Sequence, residues 1–179
     1  MLTQSIRDIQ KPRIQGKGSF RERVCTPKLT KVIVHRSLGI KAQDSKVLKQ
    51  SIEEFRSITG QQPVLTRAKK SIAAFKVRKN MVTGMKVTLR GQKMYAFVDK
   101  LIHLVLPQVK DFQGLNLRQF DEFGNYHLGF TDQGVFPELE VDFQELKLGL
   151  EVSFITSVVN SDKARQLFTD MGFVFQTKR

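Results

Sequence analysis

Apolar and polar residues alternate along several short segments of the chain, which predicts half-buried β-strands. The clearest case runs from Gly84 to Gly91, where one face carries Met85, Val87 and Leu89 and the other carries Lys86, Thr88 and Arg90. The same period predicts strands at residues 30–36, 126–130 and 150–156, and a short strand at 64–68 after the turn signal of Pro63. In the last two of the long strands, Tyr126, Leu128 and Phe130 alternate with His127 and Gly129, and Val152 and Phe154 are expected to point inward.

Three other segments have the apolar spacing of amphipathic helices. Residues 44–59 begin with a capping Asp44 or Ser45, end at Gly60 and present Leu48, Ile52 and Phe55 to the core. Residues 94–106 are stopped by Pro107, and their inward positions are Met94, Phe97, Val98, Leu101 and Val105. On the polar side of that helix, Asp99 and His103 are expected to form a solvated pair. Ser161 caps a third helix that ends near Gly172.

Strands and helices without regular alternation predict an α+β fold. We expect one domain over residues 24–179, with a mainly antiparallel sheet, helices packed on one of its faces and a long basic projecting loop. The 179 residues suffice for a single core, and the lone Cys25 excludes an intrachain disulfide. Residues 1–23 form a basic arm that we expect to be partly flexible. We prefer this to a phosphate loop at Gly16–Ser19, because the glycine that such a loop needs is replaced by Lys11.

The charge is concentrated in the first half of the chain. Residues 1–93 carry 22 Lys or Arg against 5 Asp or Glu, a net charge of +17, whereas residues 94–179 have a net charge of −4. No acid lies between Phe55 and Val98. Such a segment repels itself unless a polyanion lies against it, and nucleic acid fits better than a membrane because these cations lie on strands and loops.

The most basic part of the chain lies between two predicted strands. AKKSIAAFKVRKNMVTG contains spaced cations, small residues and one aromatic, Phe75, but little that could form a core. We interpret it as the projecting loop, whose function is contact. Elsewhere, most aromatic residues are expected to pack rather than to stack on bases, including Phe112, Phe120, Phe123 and Phe130.

The run ITGQQPVLTRAKKSIAAFKVRKNMVTGMKVTLRG resembles the signature of the L-five family of large-subunit ribosomal proteins. DFQGLNLRQFDEFGNYHLGFTDQGVFPEL is similar to a second segment of that family, and PKLTKVIVHRSLG to its first strand. The resemblance covers about residues 27–179. It departs at Ala74, at Lys79-Asn80 and at Val82-Thr83, and His35 and Ser37 replace the usual Asn and Gly of the first strand.

The resemblance implies a structural constituent of the large ribosomal subunit, not an enzyme, with no cofactor. It implies 5S rRNA, large-subunit rRNA, P-site tRNA and neighbouring ribosomal proteins as partners, and no small-molecule substrate. Carried over by position, the rRNA-binding residues would be Lys31, His35, Arg36, Arg67, Lys86, Arg90 and Lys93. The loop that contacts tRNA would be Lys69, Lys70, Ser71, Phe75, Lys76, Arg78 and Lys79. The Arg-Ser-Leu-Gly ending of the first strand favours the plastid and cyanobacterial members of the family, and we expect a plastid ribosome before a bacterial one.

Two other functions compete with this interpretation. An RNA-modifying enzyme would need a convergent catalytic or metal site, but His35, His103 and His127 are scattered along the sequence and Cys25 has no partner that would lower its pKa. A free RNA-binding translation or assembly factor would need the same charges. Only the family resemblance argues against that second alternative.

Overall fold

A computed structural model of the protein describes residues 27–139, 148–157 and 159–176. Five strands form an antiparallel sheet in the order β2-β3-β1-β5-β4. The strands are β1 Leu29–Ser37, β2 Val64–Arg67, β3 Val82–Leu89, β4 Tyr126–Phe130 and β5 Leu150–Thr156, and the helices are α1 Ser45–Thr59, α2 Gly91–Lys100 and α3 Ser161–Asp170. The predicted α+β fold is confirmed, with every predicted strand and helix present. The predicted arm at residues 1–23 and Cys25 lie outside the described residues.

The alternation in the sequence correctly assigns the two faces of the sheet. The residues predicted to point inward from β5 are buried, and so is the apolar face of β3. Val87 and Phe154 expose 1% or less of their surface. On the opposite face Lys86 is exposed, and Lys31 and His35 are half-exposed. One face of the sheet is therefore part of the core and the other is accessible to a partner.

The chain divides into two units, each made of segments that are separate in the sequence. In the unit of residues 33–89 and the described part of 129–152, α1 packs against β1, and the guanidinium of Arg36 in β1 lies 4.8 Å from the centre of the Phe55 ring in α1. Asp44 caps α1 by accepting the Lys46 amide at 2.9 Å, and Gly60 ends it with φ of 63°. The predicted core stripe of α1 is partly wrong. Phe55 and Ile58 are fully buried, whereas Leu48 and Ile52 are only half-buried.

Gly84 shows how closely β3 and β1 approach each other in this unit. A Cβ atom at Gly84 would lie 2.5 Å from the backbone oxygen of Arg36, which no rearrangement of a side chain could relieve. The amide of Leu38 also donates to the carbonyl of Thr83 at 2.9 Å. A glycine is therefore required where the base of the basic loop joins the sheet.

The second unit comprises residues 90–128 and the described parts of 27–32 and 153–176. Its core is aromatic. The ring of Phe168 in α3 packs edge-on against that of Phe154 in β5, with 5.7 Å between the ring centres, and the ring of Tyr126 in β4 also lies 5.7 Å from that of Phe168. The N-cap of α3 is Asn160, whose side chain accepts the amides of residues 162 and 163, so the prediction of Ser161 as the cap was wrong by one residue.

In the same unit α2 begins at Gly91, three residues earlier than predicted. It continues into a π-helical turn, Leu101–Val105, and a last helical turn, Leu106–Gln108, which contains Pro107. All five positions predicted to point inward are buried. The predicted solvated pair is wrong, because Asp99 is 7% exposed and its carboxylate oxygens are buried with no hydrogen-bond partner among the described residues. Burial raises the pKa of Asp99, and the charge of His103 lowers it by less.

Candidate nucleic-acid interface

The basic loop between β2 and β3 is an ordered hairpin. At its base the Ala68 amide donates to the Met81 carbonyl at 2.9 Å, and the Asn80 amide returns a bond of 2.9 Å to Ala68. Near its tip Ile72 and Val77 exchange backbone hydrogen bonds of 2.9 and 3.2 Å. The backbone of this hairpin, residues 68–81, is therefore positioned before any partner arrives.

Side chains reinforce the turns of the hairpin. The Ser71 hydroxyl accepts the Lys79 amide at 2.9 Å, and Arg67 Nη1 donates to the Asn80 carbonyl at 3.1 Å. Lys76 and Asn80 have φ of 53° and 68°, in the left-handed region that turns require. Ser71 was assigned by resemblance to tRNA contact, and the structure gives it a role in holding the hairpin. Whether it also touches RNA stays a prediction.

The cations of the hairpin are directed to solvent. All five are exposed, namely Lys69, Lys70, Lys76, Arg78 and Lys79, and the aromatic ring of Phe75 exposes 68% of its surface. The predicted basic loop without a core of its own is confirmed. Its charges form no salt bridge with a carboxylate in the described part of the chain, which leaves them available to an external anion.

A second group of cations lies on the strands and at their ends. Lys86 in β3 is exposed, and so is Arg90, the first residue after β3. Arg67 at the end of β2 is exposed as well. Lys93 is exposed in the first turn of α2, and Lys31 is half-exposed on β1. His35 Nδ1 lies 3.8 Å from the Glu151 carboxylate, an exposed pair that contributes little to stability.

Arg36 is the clear exception among the predicted rRNA-binding residues. Its side chain is buried, and its Nη1 donates to Glu54 Oε2 of α1 at 2.6 Å, with the guanidinium 4.8 Å from the Phe55 ring centre. Burial lowers the pKa of Arg36, and the hydrogen bond and charge of Glu54 raise it by less. Arg36 cannot reach RNA, so its assignment was wrong. The signal was present, since Arg36 alternates in phase with Val32 and Val34, which point inward.

One polar group on the open side of β4 and β5 has the residue types of a hydrolase. His127 Nδ1 lies 3.0 Å from Ser153 Oγ, and its Nε2 lies 3.9 Å from Asp121 Oδ2. Asp121, however, holds a turn: it accepts the amides of Phe123 and Asn125 at 3.0 and 2.6 Å. Burial raises the pKa of Asp121, but these hydrogen bonds and one from the Asn125 side chain outweigh it, so the pKa is lowered. The group is structural.

The four phenylalanines predicted to pack behave differently. Phe130 is buried, Phe112 is half-buried, and the half-buried ring of Phe120 lies 4.7 Å from that of Tyr126. Phe123 is 65% exposed, so its assignment to the core was wrong. It occupies the turn held by Asp121, where the backbone geometry rather than burial of the ring fixes its position.

Comparison with known proteins identifies the family. The chain matches the family model of ribosomal protein L5 over residues 24–78, and it matches the model of the C-terminus of the same ribosomal family over residues 82–175. Together the two matches cover more than half of the sequence. The chain belongs to the ribosomal protein L5 family. The resemblance to the L5 family is thereby confirmed. The first family match ends at residue 78, within the basic hairpin, and the second begins at residue 82, directly after it.

Individual relatives agree with the L5 assignment over nearly the whole chain. The large ribosomal subunit protein uL5 of Rippkaea orientalis is 43% identical over 98% of both chains. That of Synechocystis is 44% identical over 93% of this chain and 92% of its own. The large ribosomal subunit protein uL5c of Zygnema circumcarinatum is 43% identical over 93% of this chain and 90% of its own.

L5 proteins are structural components rather than enzymes, and the prediction that this chain is not an enzyme is confirmed. Over the described residues we find no helix that meets the length and apolarity needed to cross a bilayer. Nor do those residues bring three potential metal-ligating side chains into one group.

Proposed function

We propose that this L5 protein is a structural constituent of the large ribosomal subunit that binds 5S rRNA, helps to anchor it in the central protuberance, and contacts the P-site tRNA through its basic hairpin. The observation that carries the proposal is the acid-free segment between Phe55 and Val98, whose cations are exposed on β2, β3 and the hairpin. The relatives that align over the whole chain are named as proteins of the large ribosomal subunit.

The strand-borne cations are suited to the sugar-phosphate backbone of folded RNA. In this proposal Lys31, Lys86 and Lys93 supply point charges, whereas Arg67 and Arg90 also present planar forks that bind phosphate with two hydrogen bonds or stack on a base. His35 contributes a hydrogen bond at the half-exposed position where the family usually has Asn. Arg36 has no part in this binding.

The hairpin is suited to a second, more distant RNA. Its backbone is preorganised by the bonds between Ile72 and Val77 and between Ala68 and Met81, so binding loses little conformational entropy there. Its cations form no described salt bridge, and Phe75 offers a ring face for stacking. We assign the tRNA contact to Lys69, Lys70, Ser71, Phe75, Lys76, Arg78 and Lys79.

A free RNA-binding translation or assembly factor is the alternative, and a salt wash separates the two. Large subunits from the native cells are sedimented through high-salt buffer and the pellet is probed for this chain. A structural constituent stays at one copy per subunit, whereas a factor is removed. Purifying the protein from its own cells and sequencing the RNA that accompanies it tests the partner: 5S rRNA supports the proposal, and its absence contradicts it.

The same purification determines the compartment. The relatives include proteins named uL5 and one named uL5c, so the comparison fits either a bacterial or a plastid ribosome. The Arg-Ser-Leu-Gly sequence of residues 36–39 fits plastid and cyanobacterial members alike, and of the two compartments we propose the plastid. Copurification with plastid rather than bacterial-type cytoplasmic rRNA would support that choice, with neighbouring ribosomal proteins as the expected accompanying chains.

A further inference from the structure

One side of the basic hairpin forms an apolar groove. The groove has a volume of about 800 Å³ and is lined chiefly by Ile40, Ile72, Phe75 and Val77. Lys69, Lys70, Ser37 and Thr83 also contribute to its lining. Ile40 comes from the 3-10 turn Gly39–Gln43 that follows β1, and the others come from the hairpin. All of these residues belong to the unit that contains residues 33–89.

Binding of phosphate does not account for this groove. Ile40, Ile72 and Phe75 expose 51%, 47% and 68% of their surfaces to water, which is unfavourable unless another surface covers them. Lys76, Arg78 and Lys79 do not line the groove. The hairpin therefore has three cations outside the groove, Lys76, Arg78 and Lys79, whereas Lys69, Lys70 and Phe75 of the proposed tRNA contact also line it.

We propose that the apolar groove docks an acidic amphipathic segment of a partner protein, with apolar side chains on its floor and carboxylates beside Lys69 and Lys70. Helices bind such grooves through apolar residues spaced three and four apart, and the volume suits a few anchoring side chains. The acid-free surroundings attract carboxylates and repel basic segments.

Two other occupants fit the groove less well. A nucleobase can stack on the exposed ring of Phe75, but its polar edges also need hydrogen-bond partners. The groove lining is mainly apolar, with Ser37 and Thr83 as its uncharged polar side chains, so burying a base there would be less favourable than burying an apolar side chain. A second copy of this chain would bring a net charge of +13 towards a groove that Lys69 and Lys70 make cationic. An acidic partner avoids both penalties.

The test measures binding of defined probes to the full chain by fluorescence anisotropy. The main probe is a labelled 14-residue peptide of Glu and Leu with Leu at helical spacing. A scrambled peptide of the same composition controls for charge, a version with Lys in place of Glu controls for sign, and a 12-nucleotide single-stranded RNA tests for a base. Ile72→Ser with Phe75→Ser removes the groove, and Val64→Ser with Val174→Ser removes two exposed apolar side chains elsewhere.

We expect the amphipathic peptide to bind about tenfold or more tightly than the scrambled one, and the Ile72/Phe75 variant to lose that preference while the Val64/Val174 variant keeps it. Lys69→Ser with Lys70→Ser should weaken binding more than Lys76→Ser with Arg78→Ser. This second comparison keeps the proposal testable if the Ile72/Phe75 variant fails to fold.

Four outcomes would overturn the proposal. The first is equal binding of the amphipathic and scrambled peptides, and the second is unchanged peptide binding by the Ile72/Phe75 variant. The third is that this variant loses binding of the RNA rather than of the peptide. The fourth is self-association of the wild-type chain in sedimentation that this variant abolishes. The third would mean that a nucleobase occupies the groove, and the fourth a second copy. None of the four bears on whether the strand-borne cations bind 5S rRNA, because those residues do not line the groove.

Discussion

Arg36 donates to Glu54 at 2.6 Å in an ion pair whose side chains are 0% and 1% exposed. A buried pair loses most when one partner is removed, because the other charge stays buried. We predict that Glu54→Ala lowers the free energy of unfolding by about 3–5 kcal/mol, measured by urea denaturation. Arg36→Leu with Glu54→Leu should instead be nearly neutral and should keep full affinity for 5S rRNA. Loss of RNA affinity in the folded double variant would restore Arg36 to the interface.

The buried carboxylate of Asp99 should make stability depend on pH in an unusual direction. Burial raises its pKa in the folded state, so ionisation above that pKa opposes folding. We predict that Asp99→Leu raises the melting temperature at pH 7, and that the gain shrinks as the pH falls below the unfolded value of about 3.9, where both states become protonated. The exposed Asp170→Leu serves as the control. An equal gain in melting temperature at pH 7 and at a pH below the unfolded pKa would contradict the presence of a buried charge at Asp99.

The cations of the hairpin should affect tRNA rather than assembly. We predict that replacing Lys69, Lys70, Lys76 and Arg78 with Ala leaves the protein in the large subunit and weakens P-site tRNA binding, measured by filter binding to purified ribosomes. A control of equal charge removes the exposed cations Lys41, Lys46, Lys49 and Arg56 instead. If the hairpin variant fails to enter the subunit while tRNA binding is normal in the remainder, the two surfaces have been exchanged.

The affinity for 5S rRNA should depend strongly on salt. If about 6 phosphates are neutralised, counterion release predicts a loss of about 10³ in affinity between 50 and 200 mM salt. Titration of 5S rRNA at four salt concentrations gives the slope. An affinity that does not change over this range would mean that burial of apolar surface, rather than charge, holds the complex together.

Sequence reasoning succeeded where one local period decides the structure. The alternation in β3 placed Met85 inside and Lys86 outside, and the acid-free composition marked the exposed hairpin. It failed where a partner distant in sequence decides. Glu54 of α1 explains the burial of Arg36. Asp99 is buried by the folded structure, which the residue pattern of its own helix does not predict. The apolar groove was also out of reach, since Ile40 and Phe75 lie 35 positions apart and meet only through the fold.

The central claim is that the exposed cations of the strands exist to bind folded RNA. It is tested most directly by the affinity of the Arg67→Glu, Lys86→Glu, Arg90→Glu variant for 5S rRNA, with Lys110→Glu, Lys163→Glu, Arg165→Glu as a control with the same change in charge. All six side chains are exposed, and the hydrogen bond that Arg67 donates to the Asn80 carbonyl is exposed too, so melting temperatures should change little. We predict that the first variant loses 5S rRNA binding and the control keeps most of it. Wild-type affinity in the first variant, or equal losses in both, would contradict the account.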